Sequence, residues 1–146
     1  MEHIAIMKKS WGLTDKVLTG DKTVESRWYK VKYAPWNRIK SGDTIYFKDS
    51  GEPVTVKVRV TKVLQFDNLT PEKTRQILAR YGKADLGTSE IIPEIMKYVS
   101  GKNYCIFVFF DNVEKIQPFE IDKKGYGMMS AWIVVDNINK LKKSKK

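Results

Sequence analysis

Apolar and polar residues alternate most regularly near the middle of the chain. Between residues 54 and 60 valine occupies every second position, and the residues between the valines are polar or charged. Because successive side chains of a strand point to opposite faces, this alternation predicts a strand with one buried face. After Val60 the phase changes, since Val63 rather than Lys62 continues the apolar set. A β-bulge at this point would bend the strand, as closing a small barrel requires.

Other apolar runs predict further strands. They span residues 3–7, 24–31, 44–48, 104–110, 113–121 and 131–135. The run 104–110 is continuously apolar, which is typical of a central strand. Pro118 lies within 113–121 and indicates an edge strand or a bulge there, because proline cannot donate to a strand ladder.

Helical spacing of apolar residues occurs in three segments. The stripes are Leu13, Val17 and Leu18; Ile77, Leu78 and Tyr81; and Ile91, Ile92, Ile95, Met96 and Val99. Ser10 or Thr14 is a candidate cap for the first helix. Thr70 and Pro71 are a strong start for the second helix, which Gly82 is expected to end, with a loop over 83–88. The third helix is predicted to begin at residue 88 or 89 and end at Gly101, provided that Pro93 falls in its first turn.

The charge balance points to a polyanionic partner. The chain has 146 residues, with 27 Lys and Arg against 17 Asp and Glu, which gives a net charge of +10. This length predicts a single domain, assigned to residues 1–139, followed by a lysine-rich tail at 140–146. The five lysines of that tail account for half of the excess. The domain itself is therefore basic, as expected of a protein that binds nucleic acid.

The remaining composition narrows the class of protein. No apolar run approaches the ~20 residues of a membrane helix, so no membrane partner is expected. Position 2 is acidic, which is not typical of a secretion signal, so a cytoplasmic location is expected. Cys105 is the single cysteine, and its thiol is expected to be buried as a small apolar group. His3 is the single histidine and is interpreted as incidental. With no Cys/His cluster, P-loop or dinucleotide fingerprint, we expect no metal or cofactor. We also expect the protein to be a monomer.

The segment from Gly20 to Arg27 concentrates candidate chemistry. Gly20 suits the left-handed position that follows a helix, and a strand is predicted to begin shortly after it. Glu25 and Arg27 are two residues apart, so they share one face of that strand, with Lys22 on the preceding turn. A lysine, a carboxylate and an arginine at this spacing can bind an anion and orient a polar ligand. The alternative is an exposed turn with a surface ion pair.

This segment also resembles a known signature. Gly-x-Lys-x-x-Glu-x-Arg is similar to the signature of ASCH domains, which belong to the PUA-like superfamily. The resemblance extends over residues 3–136: Ser41-Gly42-Asp43 leads into a strand, and residues 125–127, Gly-Tyr-Gly, lead into an apolar strand with Trp132. It implies an α+β fold, namely a small β-barrel of five to seven mostly antiparallel strands flanked by two to four helices. It also implies a cleft beside the signature and a role on RNA or nucleotides.

The favoured function is a binding module for RNA, other single-stranded nucleic acid, or a modified nucleoside or nucleotide. Lys22 and Arg27 would contact phosphate or base, and Glu25 would orient Arg27 or accept from a base amino group. The loop 30–40 interleaves basic and aromatic residues, as single-strand binders do, although its aromatics could instead fill the core. The candidate ligand-binding residues are Lys22, Glu25, Arg27, Tyr33, Trp36, Arg38, Lys48, Lys124, Tyr126 and Trp132.

The alternative function is a hydrolase. In one group of ASCH proteins, amidohydrolases acting on acylated cytidine, a lysine at the Lys22 position works with a threonine and a distant glutamate. Glu25 stands where that threonine would be, and the nearby hydroxyls of Thr23 and Ser26 do not match it. In an amidohydrolase-like or ribonuclease-like enzyme, Lys22 would be the base or nucleophile and Glu25 would shuttle protons. Glu52 and Glu114 are candidates for the distant glutamate. A third alternative is a protein-interaction adaptor.

Overall fold

A computed structural model describes residues 1–143 of the chain. The strands are β1 (Glu2–Met7), β2 (Val24–Tyr29), β3 (Thr44–Asp49), β4 (Val54–Phe66), β5 (Tyr104–Phe119) and β6 (Trp132–Val135). The helices are α1 (Leu13–Thr19), α2 (Pro71–Leu86) and α3 (Pro93–Val99), with 3₁₀ turns at Lys9–Trp11 and Ile138–Lys140. Among the described residues, no helix is long and apolar enough to span a membrane.

The strands form one curled sheet in the order β2-β5-β4-β3-β1-β6. Only β1 and β3 pair in parallel within this sheet, and the other neighbours are antiparallel. The sheet curls into a half-barrel with helices against it, which confirms the predicted α+β fold class. Within residues 1–143 its two edge strands are β2 and β6, so one edge of the signature strand has no partner strand there.

The two longest strands, β4 and β5, pair with each other in the interior of the sheet. The four alternating valines of β4 are all buried, as predicted. The register against β5 shifts between Val60 and Lys62, which confirms the bulge expected from the change of phase. The prediction of two separate strands at 104–110 and 113–121 is wrong, because β5 is continuous from Tyr104 to Phe119. A second bulge near Asn112, which adopts a left-handed φ of 51°, lets the ladder continue through the polar interruption.

Helix α2 begins as predicted but ends later. Thr70 caps it by accepting from the Lys73 backbone amide, and Pro71 is its first residue. Gly82 does not end the helix: it is buried in the helix interior, where a Cβ would lie 3.7 Å from the side chain of Ile91. The helix ends instead at Gly87, which has a φ of 69°. Residues 83–86, predicted as part of a loop, therefore form the last turn of α2. This turn includes Asp85.

The other helices differ from the predictions at their starts. Helix α1 follows Gly12, which has a φ of 65°, so neither Ser10 nor Thr14 caps it. The Thr14 hydroxyl instead donates to Asp49 at 2.7 Å. Helix α3 begins at Pro93 rather than at 88 or 89, because proline occupies its first turn as required. At the C-terminal end, Leu141 is fully buried, whereas Lys145 and Lys146 lie outside the described residues.

His3 is not incidental but lies at the centre of a buried hydrogen-bond network. Its Nε2 lies 2.9 Å from Asp43 Oδ2, and the indole Nε1 of Trp132 donates to its Nδ1 at 3.0 Å. An indole N–H can only donate, so Nδ1 is an acceptor and Nε2 carries the proton that is donated to Asp43. Burial lowers the pKa of His3 by more than the hydrogen bond and charge of Asp43 raise it. His3 is therefore neutral and links the start of β1 to β6.

The free energy of unfolding is expected to decrease as pH falls below about 6.5, the ordinary pKa of histidine. The folded pKa of His3 is depressed, so the unfolded chain binds more protons and stability is lost as pH falls toward the folded pKa. Urea denaturation of the wild type and of His3→Gln between pH 5 and 8 measures this effect. Because the chain has one histidine, the difference between the two pH profiles isolates His3. Parallel profiles would contradict the network.

Candidate functional site

A cavity of about 540 Å³ opens beside the signature strand, between the end of β1, the end of α2 and helix α3. Its polar lining includes Glu25, Ser26 and Arg27 of β2 and Asp85 of α2. Aromatic side chains form its walls, namely Trp11, Trp28 and Tyr98. Lys8, Glu94 and Lys97 lie at its exposed rim. The signature is therefore next to a concave space, at the unpaired edge of β2.

Side chains satisfy the unpaired edge of β2. The backbone amide of Ser26 donates to Asp85 Oδ1 at 3.1 Å, and that of Trp28 donates to the Tyr98 hydroxyl at 3.3 Å. Helices α2 and α3 thus cover an edge that another strand would otherwise occupy. Because the cover consists of side chains rather than a strand, space for a ligand persists between them.

Lys22 lies beneath the cavity and has no exposed surface. Its ammonium donates to the carbonyl oxygens of Val24, at 2.7 Å, and Asp85, and to Asp85 Oδ1 at 2.7 Å. It also lies 2.9 Å from Glu25 Oε1. Burial opposes the charge, but Asp85 and Glu25 outweigh it and raise the pKa of Lys22. Lys22 is therefore a charged group with all three N–H bonds engaged, and it faces the protein rather than the cavity.

Glu25 joins the two cations of the signature. Its Oε2 accepts from Arg27 Nε at 3.2 Å and from Nη2 at 3.0 Å, while Oε1 faces Lys22. Burial opposes its ionisation, but the charges of Lys22 and Arg27 hold the pKa of Glu25 below its ordinary value. The carboxylate thus fixes the guanidinium in one orientation, by a two-point contact.

Arg27 connects the two edges of the half-barrel. Its Nη1 donates to the Ala131 carbonyl at 3.3 Å and its Nη2 to the Ile6 carbonyl at 3.2 Å, both on the β1–β6 side. The guanidinium lies over the Trp132 ring, 5.1 Å from its centroid. A side chain of β2 therefore bridges the opening between β2 and β6. One N–H of Nη1 is not used by these contacts.

Asp85 is the principal site residue that the sequence did not predict. It is buried, its Oδ1 contacts Lys22 and its Oδ2 is hydrogen bonded to the Ser26 hydroxyl. Burial raises the pKa of Asp85 despite the nearby charge of Lys22. The distant acid beside Lys22 is thus Asp85. By contrast, Glu52 pairs with Lys9, and Glu114 lies 3.9 Å from Lys57 on the exposed surface.

Contacts across the rim hold α3 against the first 3₁₀ turn. Glu94 accepts from the Trp11 indole at 2.9 Å and from Lys8 at 3.4 Å. The Trp11 and Tyr98 rings meet edge to face, with centroids 5.7 Å apart. These groups are exposed or half-buried, so they define an entrance that a ligand can reach.

The other predicted site residues lie away from the cavity lining. Trp36 is half-buried against Tyr104 with centroids 5.3 Å apart, whereas Tyr33 is 64% exposed and Arg38 is exposed. Lys48 is buried on β3, and Lys124 and Tyr126 are exposed on the loop before β6. Trp132 is buried behind Arg27 rather than at the cavity surface. The structure thus brings together Lys22, Glu25, Arg27 and Trp132, and leaves the others dispersed.

The residues present do not suggest a metal centre. Within residues 1–143 there is no group of three or more His, Cys, Asp or Glu side chains placed to hold a metal ion. Cys105 is buried and unpaired, as expected of a small apolar side chain in a central strand. The part of the lining beside β2 presents the carboxylates of Glu25 and Asp85, the Ser26 hydroxyl, the Arg27 guanidinium and aromatic rings.

Comparison with solved structures identifies the fold. A crystal structure of a tyrosine-to-phenylalanine variant of ZmASCH from Zymomonas mobilis matches 97% of this chain and 99% of that chain, with a TM-score of 0.67 and 14% identity. A crystal structure of ASCH from Zymomonas mobilis matches 80% of this chain and 71% of that chain, with a TM-score of 0.58 and 16% identity. The hypothetical protein PH0355 matches 80% of this chain and all of its own, with a TM-score of 0.53 and 18% identity.

No protein-family model and no curated protein matches the chain. At these identities the structural likeness establishes the fold and not the activity. The chain has the ASCH fold, as its signature predicted.

Proposed function

We propose that this protein is a binding module for RNA or a modified nucleotide, and that one base occupies the cavity beside β2. The observation that carries the proposal is the cavity itself, in which aromatic walls surround a few convergent polar groups. Its volume of about 540 Å³ falls within the range of small-molecule sites. A flat base requires this combination of stacking surface and directional hydrogen bonds.

The polar groups suit the edge of a base. Asp85 Oδ2 contacts only the Ser26 hydroxyl within residues 1–143, so it retains acceptor capacity for an amino group of the ligand. Carboxylates accept from cytosine N4 in this way. Arg27 also lines the cavity, and the N–H of its Nη1 that makes no hydrogen bond within residues 1–143 would supply a donor for a base carbonyl. The donor of Arg27 and the acceptor of Asp85 both belong to the lining of this cavity, and Glu25 and Lys22 connect the two residues.

The rim suits phosphate. Lys8 and Lys97 are exposed at the entrance, and the whole chain carries a net charge of +10. The exposed aromatic and basic loop around Tyr33 and Arg38 extends the surface available to a longer strand. Proteins that bind single strands generally contact the phosphates with basic side chains and stack the bases on aromatic side chains.

Affinity for a fluorescein-labelled single-stranded RNA of about ten nucleotides is expected to fall steeply with salt, because phosphate contacts release counterions. Fluorescence anisotropy between 50 and 300 mM NaCl measures the slope. Lys97→Gln should lower the slope by roughly one phosphate contact. Lys57→Gln, at an exposed pair away from the cavity, is the matched control. Undetectable binding at low salt across several RNA and DNA sequences would favour the adaptor alternative.

The hydrolase alternative based on Lys22 has little support in this geometry. A base or nucleophile needs an unprotonated amine with access to the substrate. Lys22 is instead buried, charged and fully hydrogen bonded. A catalytic role would have to come from another residue of the cavity.

A further inference from the structure

We propose that a second cavity, between the start of α2 and the end of α3, binds an acidic amphipathic helix of a partner protein. This cavity of about 460 Å³ is lined by residues 69–71, 74, 75, 96, 97 and 99–102, and we call it the α2–α3 groove. It is separate from the cavity beside β2, although Lys97 and Val99 line both. The inference adds a protein partner to the proposed ligand and does not depend on nucleotide binding.

The lining of the α2–α3 groove is largely aliphatic. Leu69 and Pro71 line it beside the start of α2, and Met96 and Val99 line it from α3. Met96 is 39% exposed, and Ile92, one helical turn before it, is 43% exposed. Because residues four apart share a helix face, the exposed apolar surface continues from the groove along α3. Apolar surface of this kind, surrounded by polar residues, is typical of an interaction site.

The charged side chains of the groove are all cations. Arg75, Lys97 and Lys102 belong to its lining, which contains no aspartate or glutamate within residues 1–143. None of the three forms a salt bridge in that part of the chain. The Lys102 ammonium instead lies 5.3 Å from the centroid of the Tyr98 ring. Three cations around an aliphatic lining complement a partner whose apolar side chains are flanked by carboxylates.

A hydroxyl in the groove is also available to a partner. Thr74 lines the groove and is only 9% exposed, and its hydroxyl makes no hydrogen bond within residues 1–143. Its backbone amide is engaged, since it donates to the Thr70 carbonyl at 2.9 Å. A hydroxyl can donate to a carboxylate. Thr74 and the next residue, Arg75, therefore offer a directional contact and a charge for the same acidic side chain.

The α2–α3 groove is less suited to nucleic acid than the cavity beside β2. No aromatic ring belongs to its described lining, so bases have no surface on which to stack. An acidic amphipathic helix supplies both groups that the groove requires, namely aliphatic side chains and carboxylates. Helices that bind in grooves use apolar anchors at i, i+3 or i+4 and i+7, with polar residues between them.

The test is fluorescence anisotropy of the full-length protein with a fluorescein-labelled peptide of about sixteen residues, long enough to form a helix. Its leucines are placed at helical spacing, and its other positions are glutamate and alanine. We expect saturable binding, which is lost when the glutamates are replaced by lysine or the leucines by serine. This comparison separates the charge requirement from the apolar requirement.

Arg75→Glu should weaken binding of the acidic peptide about tenfold or more, because it reverses one charge of a complementary pair. Met96→Ala should weaken binding about fivefold, because it removes apolar contact area. Lys115→Glu makes the same change in net charge as Arg75→Glu, at an exposed position of β5 outside both cavities, and should bind like the wild type. Circular dichroism establishes that each variant is folded.

The wild type alone locates the peptide if a variant fails to fold. A benzophenone in place of one leucine should cross-link to residues 69–75 or 96–102, as mapped by mass spectrometry. No binding of the acidic peptide at low salt, binding unchanged by Arg75→Glu, or a cross-link elsewhere would overturn the inference. If Arg75→Glu and Met96→Ala weaken binding of single-stranded RNA as strongly, the groove binds nucleic acid and the inference is wrong. Peptide binding without any RNA or nucleotide binding would support this inference and contradict the proposed function.

Discussion

Lys22→Met is expected to lower the free energy of unfolding by about 3–5 kcal/mol, because removing one partner of a buried ion pair leaves an uncompensated charge. Methionine preserves much of the volume of Lys22 but removes the cation shared by Glu25 and Asp85. Both carboxylates are buried, so water cannot replace the lost partner without opening the site. Urea denaturation monitored by tryptophan fluorescence measures the change.

The control is Lys57→Met, the same substitution at an exposed ion pair, which should change the stability by less than about 0.5 kcal/mol. Adding Asp85→Asn to Lys22→Met should recover part of the loss, because it removes the buried charge that has lost its cation, whereas Glu25 keeps its ion pair with Arg27. If Lys22→Met unfolds at the wild-type urea concentration, the buried network does not have the role assigned to it. A stable Lys22→Met that no longer binds ligand would instead assign Lys22 a direct role.

The sheet could be predicted from the sequence because its signals are local. The valines of β4 alternate with polar residues, and the phase change after Val60 marks the bulge that the register shows. Thr70 and Pro71 likewise mark a helix start through backbone chemistry that requires no knowledge of tertiary contacts. In these segments the pattern and the packing agree.

The site could be predicted only in part, because it depends on contacts distant in sequence. Lysine is rarely buried, so Lys22 was predicted to contact a ligand from the turn before β2, with an exposed turn as the alternative, and not to be enclosed beneath the cavity. Asp85 was missed because Gly82 was taken to end α2, whereas that glycine is in the helix interior and packs against Ile91. The pairing of His3 with Trp132 joins residues 129 positions apart, which no local pattern reveals.

Trp11→Ala is expected to weaken binding of cytidine 5′-monophosphate by about tenfold or more, because stacking of a base on an aromatic ring contributes about 1–3 kcal/mol. Trp11 lines the cavity and is held at its rim by Glu94. Tyr33→Ala removes an aromatic ring that is 64% exposed on a separate loop, so it should leave mononucleotide affinity nearly unchanged. Isothermal titration calorimetry on both variants makes the comparison. Equal losses in the two would contradict the assignment of the base to the cavity.

The position of the ligand can be measured directly, because the four tryptophans of the chain lie in different environments. Trp11 and Trp28 line the cavity, and Trp132 lies behind Arg27. Trp36 is on the loop after β2 and packs against Tyr104 of β5. Each indole N–H gives its own signal in a ¹⁵N–¹H spectrum, which can be followed during titration with cytidine 5′-monophosphate. We predict saturable shifts of Trp11 and Trp28 with Trp36 unmoved. A shift confined to Trp36, or no shift at any indole, would contradict a nucleotide site at the signature cavity.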